Sequence, residues 1–154
     1  MLHTTLIPNV ALASVENDQP DWQDIVLTDE EFEIILANNP KNEINSISSG
    51  LIEKHTIAIS KGANTLVIAG RTIGIIEVKQ SGFTIVTIQR RQNNGSWCTY
   101  KTYNDLLCDG RTYNLSKTIT VPSGYQYRVV CTHYAKKNLL STEKFENTSN
   151  IVTL

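Results

Sequence analysis

The sequence predicts an all-β fold: an antiparallel sandwich of two sheets with about seven strands, preceded by an acidic arm carrying one short helix. Three observations carry that prediction. First, Pro122-Ser123-Gly124 delivers the chain into a long run of aromatic and β-branched residues ending near Lys136. In that run Tyr125, Tyr127, Val129, Cys131 and His133 alternate with Gln126, Arg128, Val130, Thr132 and Tyr134, so one strand face is mostly apolar. Second, from residue 51 onward short β-patterned stretches are separated by turn residues, at hairpin spacing rather than with helical crossovers. Third, residues 1–50 lack that pattern and are acidic. These observations define a fold and leave the biochemical activity open.

Residues 1–13 end in Ala11-Leu12-Ala13, the small-x-small pattern of a signal-peptidase site, with Ser14 next. The segment has a short apolar part and no basic leader, so a shortened start and a chance match both remain open. Export to the cell surface or medium is the expectation. Residues 15–27 are polar and acidic, with Trp22 as one anchor. Thr28-Asp29-Glu30-Glu31 reads as a capping box, followed by Phe32, Ile35 and Leu36 at helical spacing, which predicts a helix over 29–37. Asn38-Asn39-Pro40-Lys41-Asn42 ends it, and a linker over 38–50 marks the domain boundary.

In the sandwich domain, 51–154, strands are expected at Leu51–Ser60 and Thr65–Arg71, turned by Lys61-Gly62-Ala63-Asn64. Residues 72–82 read as a connection, broken by Gly74 and Ser81-Gly82. Phe83–Arg91 reads as a central third strand. Asn93-Asn94-Gly95 is the strongest hairpin signal, because those residues tolerate positive φ. Trp97–Tyr103 is the fourth strand, Asn104–Arg111 a loop, Tyr113–Val121 the fifth and the opening stretch the sixth. Leu140–Glu146 is the seventh, with an edge segment over Asn150–Leu154.

Charge divides the chain. Residues 1–50 hold nine acids against Lys41 alone, while the remainder holds 13 bases against six acids. An acidic arm on a basic body either keeps the chain in solution or lies against that body, or else the basic body meets a polyanion such as cell-wall teichoic acid or a phospholipid surface. No apolar run approaches the ~18 residues of a membrane span. No nucleic-acid motif is present, and the net charge of −1 does not favour nucleic acid. Three cysteines cannot all pair within one chain. Cys98 and Cys108 flank a predicted loop, where a disulfide is possible, and Cys131 is expected in the core.

Candidate chemistry is sparse, and no cofactor or metal is implied. Cys131 and His133 share a strand face, the minimum for a thiol nucleophile with a base, yet a central strand denies them a cleft. Adding Cys98 and Cys108 makes an irregular zinc set without Cys-x-x-Cys. Asp105 and Asp109 in the predicted loop would offer oxygens to calcium or carboxylates for glycoside hydrolysis, without the spacing either needs. Arg90, Arg91, Tyr100, Lys101, Arg128, Tyr134 and Lys136 fall on the third, fourth and sixth strands and form a candidate basic, aromatic face. Trp97, Val121, Tyr127 and Cys131 are expected to be structural.

The stretch Val121-Pro-Ser-Gly-Tyr-Gln-Tyr127-Arg-Val129 resembles the fifth-to-sixth strand corner of fibronectin type III and immunoglobulin-like domains. That resemblance implies a tyrosine corner, in which the Tyr127 hydroxyl bonds back to the nearby backbone. Ile88–Trp97 is similar to the third-to-fourth strand hairpin of the same architecture, although Ile68 stands near the usual second-strand Trp. With the ending Asn147–Leu154, residues 62–154 look like a family of small, secreted, uncharacterised β-sandwich proteins of Gram-positive bacteria. The family resemblance implies fold and export. Three functional expectations follow: a binding module meeting a cell-wall polyanion, glycan or protein; a small hydrolase or metal enzyme using Cys131/His133 or the Asp105–Asp109 loop; and a structural module associating through sheet edges.

Overall fold

The computed structural model describes residues 22–43 and 50–154. The signal-like segment at 1–13 and the serine-rich part of the linker lie outside the described residues. The elements are β1 (Gln23–Asp24), α1 (Asp29–Leu36), a 3-10 turn (Pro40–Glu43), β2 (Ile52–Lys61), β3 (Thr65–Gly74), β4 (Gln80–Arg91), β5 (Cys98–Asp109), β6 (Thr112–Thr120), β7 (Gln126–Asn138), β8 (Ser141–Thr148) and β9 (Val152–Thr153). All strand pairs are antiparallel. One sheet runs β1-β6-β3-β2 and the other β5-β4-β7-β8, with β9 also on β7.

The expected all-β, two-sheet architecture is present, with nine strands among the described residues rather than about seven. The core lies between the sheets and is built from alternate side chains of each strand. Ile57 and Ile59 of β2, Leu66 and Ile68 of β3, Phe83, Val86 and Ile88 of β4, and Leu115 and Ile119 of β6 are buried. On β7, Tyr127, Val129, Cys131, His133 and Ala135 are all buried, while the residues between them reach the outside. The Tyr127 hydroxyl donates to Pro122 O, the return bond that the corner resemblance implies. Val121 is buried beside it.

Two boundaries differ from expectation for one physical reason. Ser81-Gly82 does not break the chain but lies inside β4, and Asn104–Asp109 is not a loop but the second half of β5. Gly82 has φ +147°, and a Cβ there would come within 2.1 Å of Leu106 O. Glycine therefore serves close backbone approach rather than a turn. On the facing strand, Asp105, between the partners of Phe83 and Ile85, takes φ 57°, and β4 slips its register against β7 between Phe83 and Ile85. The turn-forming residues are absorbed into continuing strands, beside one bulge of β4 against β7.

The described part of the acidic arm lies on the body. The capping box forms: Glu31 N donates to Thr28 Oγ1 at 3.1 Å and Thr28 N to Glu31 Oε1 at 2.9 Å. Phe32 and Leu36 then pack on Ala58 and Ala69, register partners whose small side chains let the helix approach the outer sheet face. Glu33 pairs with Arg71 at 3.0 Å, and Asp24 pairs with Lys117. Trp22 stacks on Tyr103 at 3.5 Å, tying the β1 side of one sheet to β5 of the other.

The residues that end the helix also close a sheet edge. Strand β2 is terminal in its sheet, yet Asn42 accepts from Ile57 N at 3.2 Å and donates to Ile57 O at 3.1 Å. Asn150 does the same at Ile59, with both bonds at 2.9 Å. Each side-chain amide takes the place of a neighbouring strand's peptide group. Asn150 is free to do so because the chain bends between β8 and β9. There the Ser149 hydroxyl accepts from Val129 N at 2.8 Å.

Two outcomes are expected from denaturant unfolding. Tyr127→Phe removes only the corner bond and lowers stability by about 1 kcal/mol. Asn150→Ala strands the Ile59 N–H, while Asn38 still donates to the Ile59 carbonyl; it costs roughly 1–3 kcal/mol and introduces concentration-dependent association measurable by light scattering.

Candidate functional site

The outer face of the β5-β4-β7-β8 sheet carries a cluster of two arginines on one indole. The hairpin after β4 turns through Asn93 and Asn94, with φ 48° and 60°, and Gly95 N donates to Gln92 O at 2.7 Å. This turn brings Trp97 back across the sheet. The guanidinium carbons of Arg91 and Arg128 each lie 4.4 Å from the Trp97 ring centroid. Cross-strand register sets Gln89 opposite Arg128 and Arg91 opposite Gln126. Arg128 Nε donates to Gln89 Oε1 at 2.7 Å and Arg91 Nε to Gln126 Oε1 at 2.8 Å.

Neutral amides and an indole therefore orient both guanidiniums without consuming their charge. Neither arginine pairs with a carboxylate among the described residues. Burial, and then the charge of Arg91, lower the Arg128 pKa from its ordinary value, but arginine stays cationic at any physiological pH. Half-buried planar cations with free charge suit a carboxylate, phosphate or sulfate group.

The basic strip expected from sequence is not one surface. Arg90 points to the inner side, with its guanidinium carbon 4.6 Å from the Tyr100 ring centroid and 4.3 Å from that of Tyr125. It braces the open end of the core beside Tyr127. Lys101 is in register with the core residue Ile88, at the inner side of the edge strand β5. Tyr134 and Lys136 share the outer face with Arg128, but six and eight residues further along β7, roughly 20 and 27 Å away. Trp97, expected to be structural, belongs to the outer cluster. Gln89 and Gln126 were missed. Their positions two residues from Arg91 and Arg128 were the available signal, since such residues share a strand face.

The other candidates are dispersed or sealed. Cys98 and Cys108 do not form a disulfide. They are ten positions apart on one extended strand, about 33 Å, far beyond the ~7 Å a bridge allows. Asp105 and Asp109 are also on β5, about 13 Å apart, too far for a glycosidase pair. No three metal-ligating residues gather among the described residues. A shallow cleft of about 170 Å³ lies between α1 and β2, lined by Glu33, Leu36, Ala37, Asn42, Lys54 and Thr56.

Cys131 and His133 do meet, inside the core. The Thr72 hydroxyl donates to Gly82 O at 2.9 Å and so accepts from His133 Nδ1 at 2.7 Å. That tautomer leaves Nε2 as an acceptor, 3.3 Å from Asn147 Nδ2 and 3.7 Å from Cys131 Sγ. The contact is no nucleophile site. Burial, and then Glu146, raise the Cys131 pKa, so the thiol stays protonated, and both residues are sealed from solvent. Burial, and then the neighbouring His55, push His133 down to about 3.

No family model, curated protein or solved structure matches the chain.

The depressed His133 pKa has a defined linkage sign. Native His133 stays neutral while an unfolded imidazole protonates near 6.5, so the unfolded state gains protons as pH falls. Its stabilising contribution is complete above about pH 6.5 and declines as pH drops toward about 3, with a slope approaching 1.4 kcal/mol per pH unit. Denaturant unfolding between pH 7 and 4 should show this loss, and imidazole NMR should show His133 neutral throughout the native range.

Proposed function

We propose that the chain is a non-enzymatic binding module of fibronectin-III-like architecture that recognises an anionic group through Arg91, Trp97 and Arg128. The observation that carries the reading is the pair of guanidiniums held on one indole by neutral amides, with no carboxylate partner among the described residues. Such a pair is held in position before any ligand arrives, which lowers the entropic cost of capture. The fitting ligand is a repeating polyanion, such as a phosphate- or carboxylate-bearing cell-wall polymer or glycan.

The finer fold assignment draws support from strand order. Strands β2, β3 and β6 face β5, β4, β7 and β8, and the Tyr127 corner closes the turn into β7. Export, and membership of the Gram-positive family, rest on the resemblance of residues 62–154. The thiol-enzyme alternative loses its support with the burial of Cys131.

Titration of the full chain with a glycerol-phosphate polymer, a uronic-acid polymer and a neutral glycan tests the proposal. Binding is expected for the anionic polymers, weakening with salt, with a change in Trp97 fluorescence. Arg128→Gln is expected to weaken it by about tenfold or more. Absence of binding to both polyanions, or binding indifferent to Arg128→Gln, would overturn the reading.

A further inference from the structure

The opposite end of the same sheet carries a second surface of different character. Strand β7 ends at Asn138, which pairs with Ser141, leaving Leu139 and Leu140 as the whole turn. Turn positions are normally filled by Gly, Asn, Asp or Ser. Here Asn138 supplies the local bond instead, its Oδ1 accepting from Leu140 N at 3.0 Å. The two leucines contribute nothing to the core, being 86% and 99% exposed.

The surroundings add to this tip. Lys79 N donates to Lys136 O at 2.8 Å, docking the turn between β3 and β4 against the base of the hairpin. That turn presents Ile76, 77% exposed. Lys136 and Lys137 directly precede the turn on β7, and Lys79 is bonded beside Lys136. Of the acids nearby, Glu77 is exposed in the turn, Asp109 is in register with Gln80 beside Lys79, and Glu143 accepts from Ile52 N at 2.8 Å, so the cations closest to the leucines are Lys136 and Lys137.

We propose that this hairpin tip docks the protein on an anionic lipid bilayer. Leu139 and Leu140 enter the headgroup–acyl boundary, and Lys79, Lys136 and Lys137 remain at the level of the headgroups. Leu139 and Leu140 lie past Lys136 and Lys137 along the hairpin, an order that matches the layering of a membrane surface. The charge of the lysines complements acidic headgroups and selects them over zwitterionic ones. Arg128 lies ten residues back along β7 from Asn138, roughly 33 Å, so this surface neither uses nor blocks the Arg91–Trp97–Arg128 cluster.

Co-sedimentation of the full chain with vesicles of phosphatidylcholine alone, or mixed with phosphatidylglycerol, tests the inference. Binding is expected to the mixed vesicles, to fall with salt, and to be weak on phosphatidylcholine alone. Leu139→Asp with Leu140→Asp should reduce it at least about tenfold. An unchanged thermal midpoint would show that the double variant still folds. Arg128→Gln should leave vesicle binding unchanged while weakening polyanion binding, which separates the two surfaces. The proposal is overturned by no binding to mixed vesicles, by equal binding to both vesicle types, or by a double Asp variant that binds like wild type. It is also overturned if sedimentation equilibrium shows that the leucines join two copies of the chain and vesicles are ignored.

Discussion

The structure depends on the strict two-residue alternation of β7. This strand pairs with β4, β8 and β9, and its inward residues Tyr127, Val129, Cys131, His133 and Ala135 fill the space between the sheets. A slip of one position would bring Arg128 inward and put Tyr127 in water, so the register is held by the whole core. Both surfaces described above inherit their positions from it. Arg128 faces out because Tyr127 and Val129 face in. The Leu139-Leu140 tip stands clear because the strand runs past the end of the core before it turns.

A sandwich built this way has terminal strands, and this chain covers several of them with its own flanking segments. The arm supplies β1 against β6, the Trp22 stack across to Tyr103, and α1 over the two alanines. The asparagines beyond α1 and beyond β8 satisfy β2 where another strand would otherwise pair. Individually the exposed ion pairs of the arm contribute little, commonly under about 1 kcal/mol. Apolar contact at Phe32, Leu36 and Trp22 does more to hold the arm in place.

Much of this was legible in the sequence, wherever the signal was local. The alternation after Gly124, the capping box at Thr28 and Glu31, and the Asn93-Asn94-Gly95 hairpin each state their geometry within a few residues. Gly82 and Asp105 misled because the residues that make turns also make bulges and close backbone approaches. Which of these occurs depends on a strand far away in sequence. Asn42 and Asn150 likewise read as loop residues, since nothing nearby reveals which peptide group their amides will meet. At the site, adjacent residues Arg90 and Arg91 have to face opposite ways on a strand, a constraint already present in the sequence. Lys101 was different: the irregularity near Tyr100 shifts its phase, and no local pattern announces it.

The placement of the thiols carries a last consequence. Cys131 is enclosed by the core, and Cys98 and Cys108 sit at opposite ends of one rigid strand, so none of the three can reach another. Folding therefore draws on no disulfide among these three cysteines. Oxidation would act only between molecules, linking separate copies through Cys98 rather than tightening any single one.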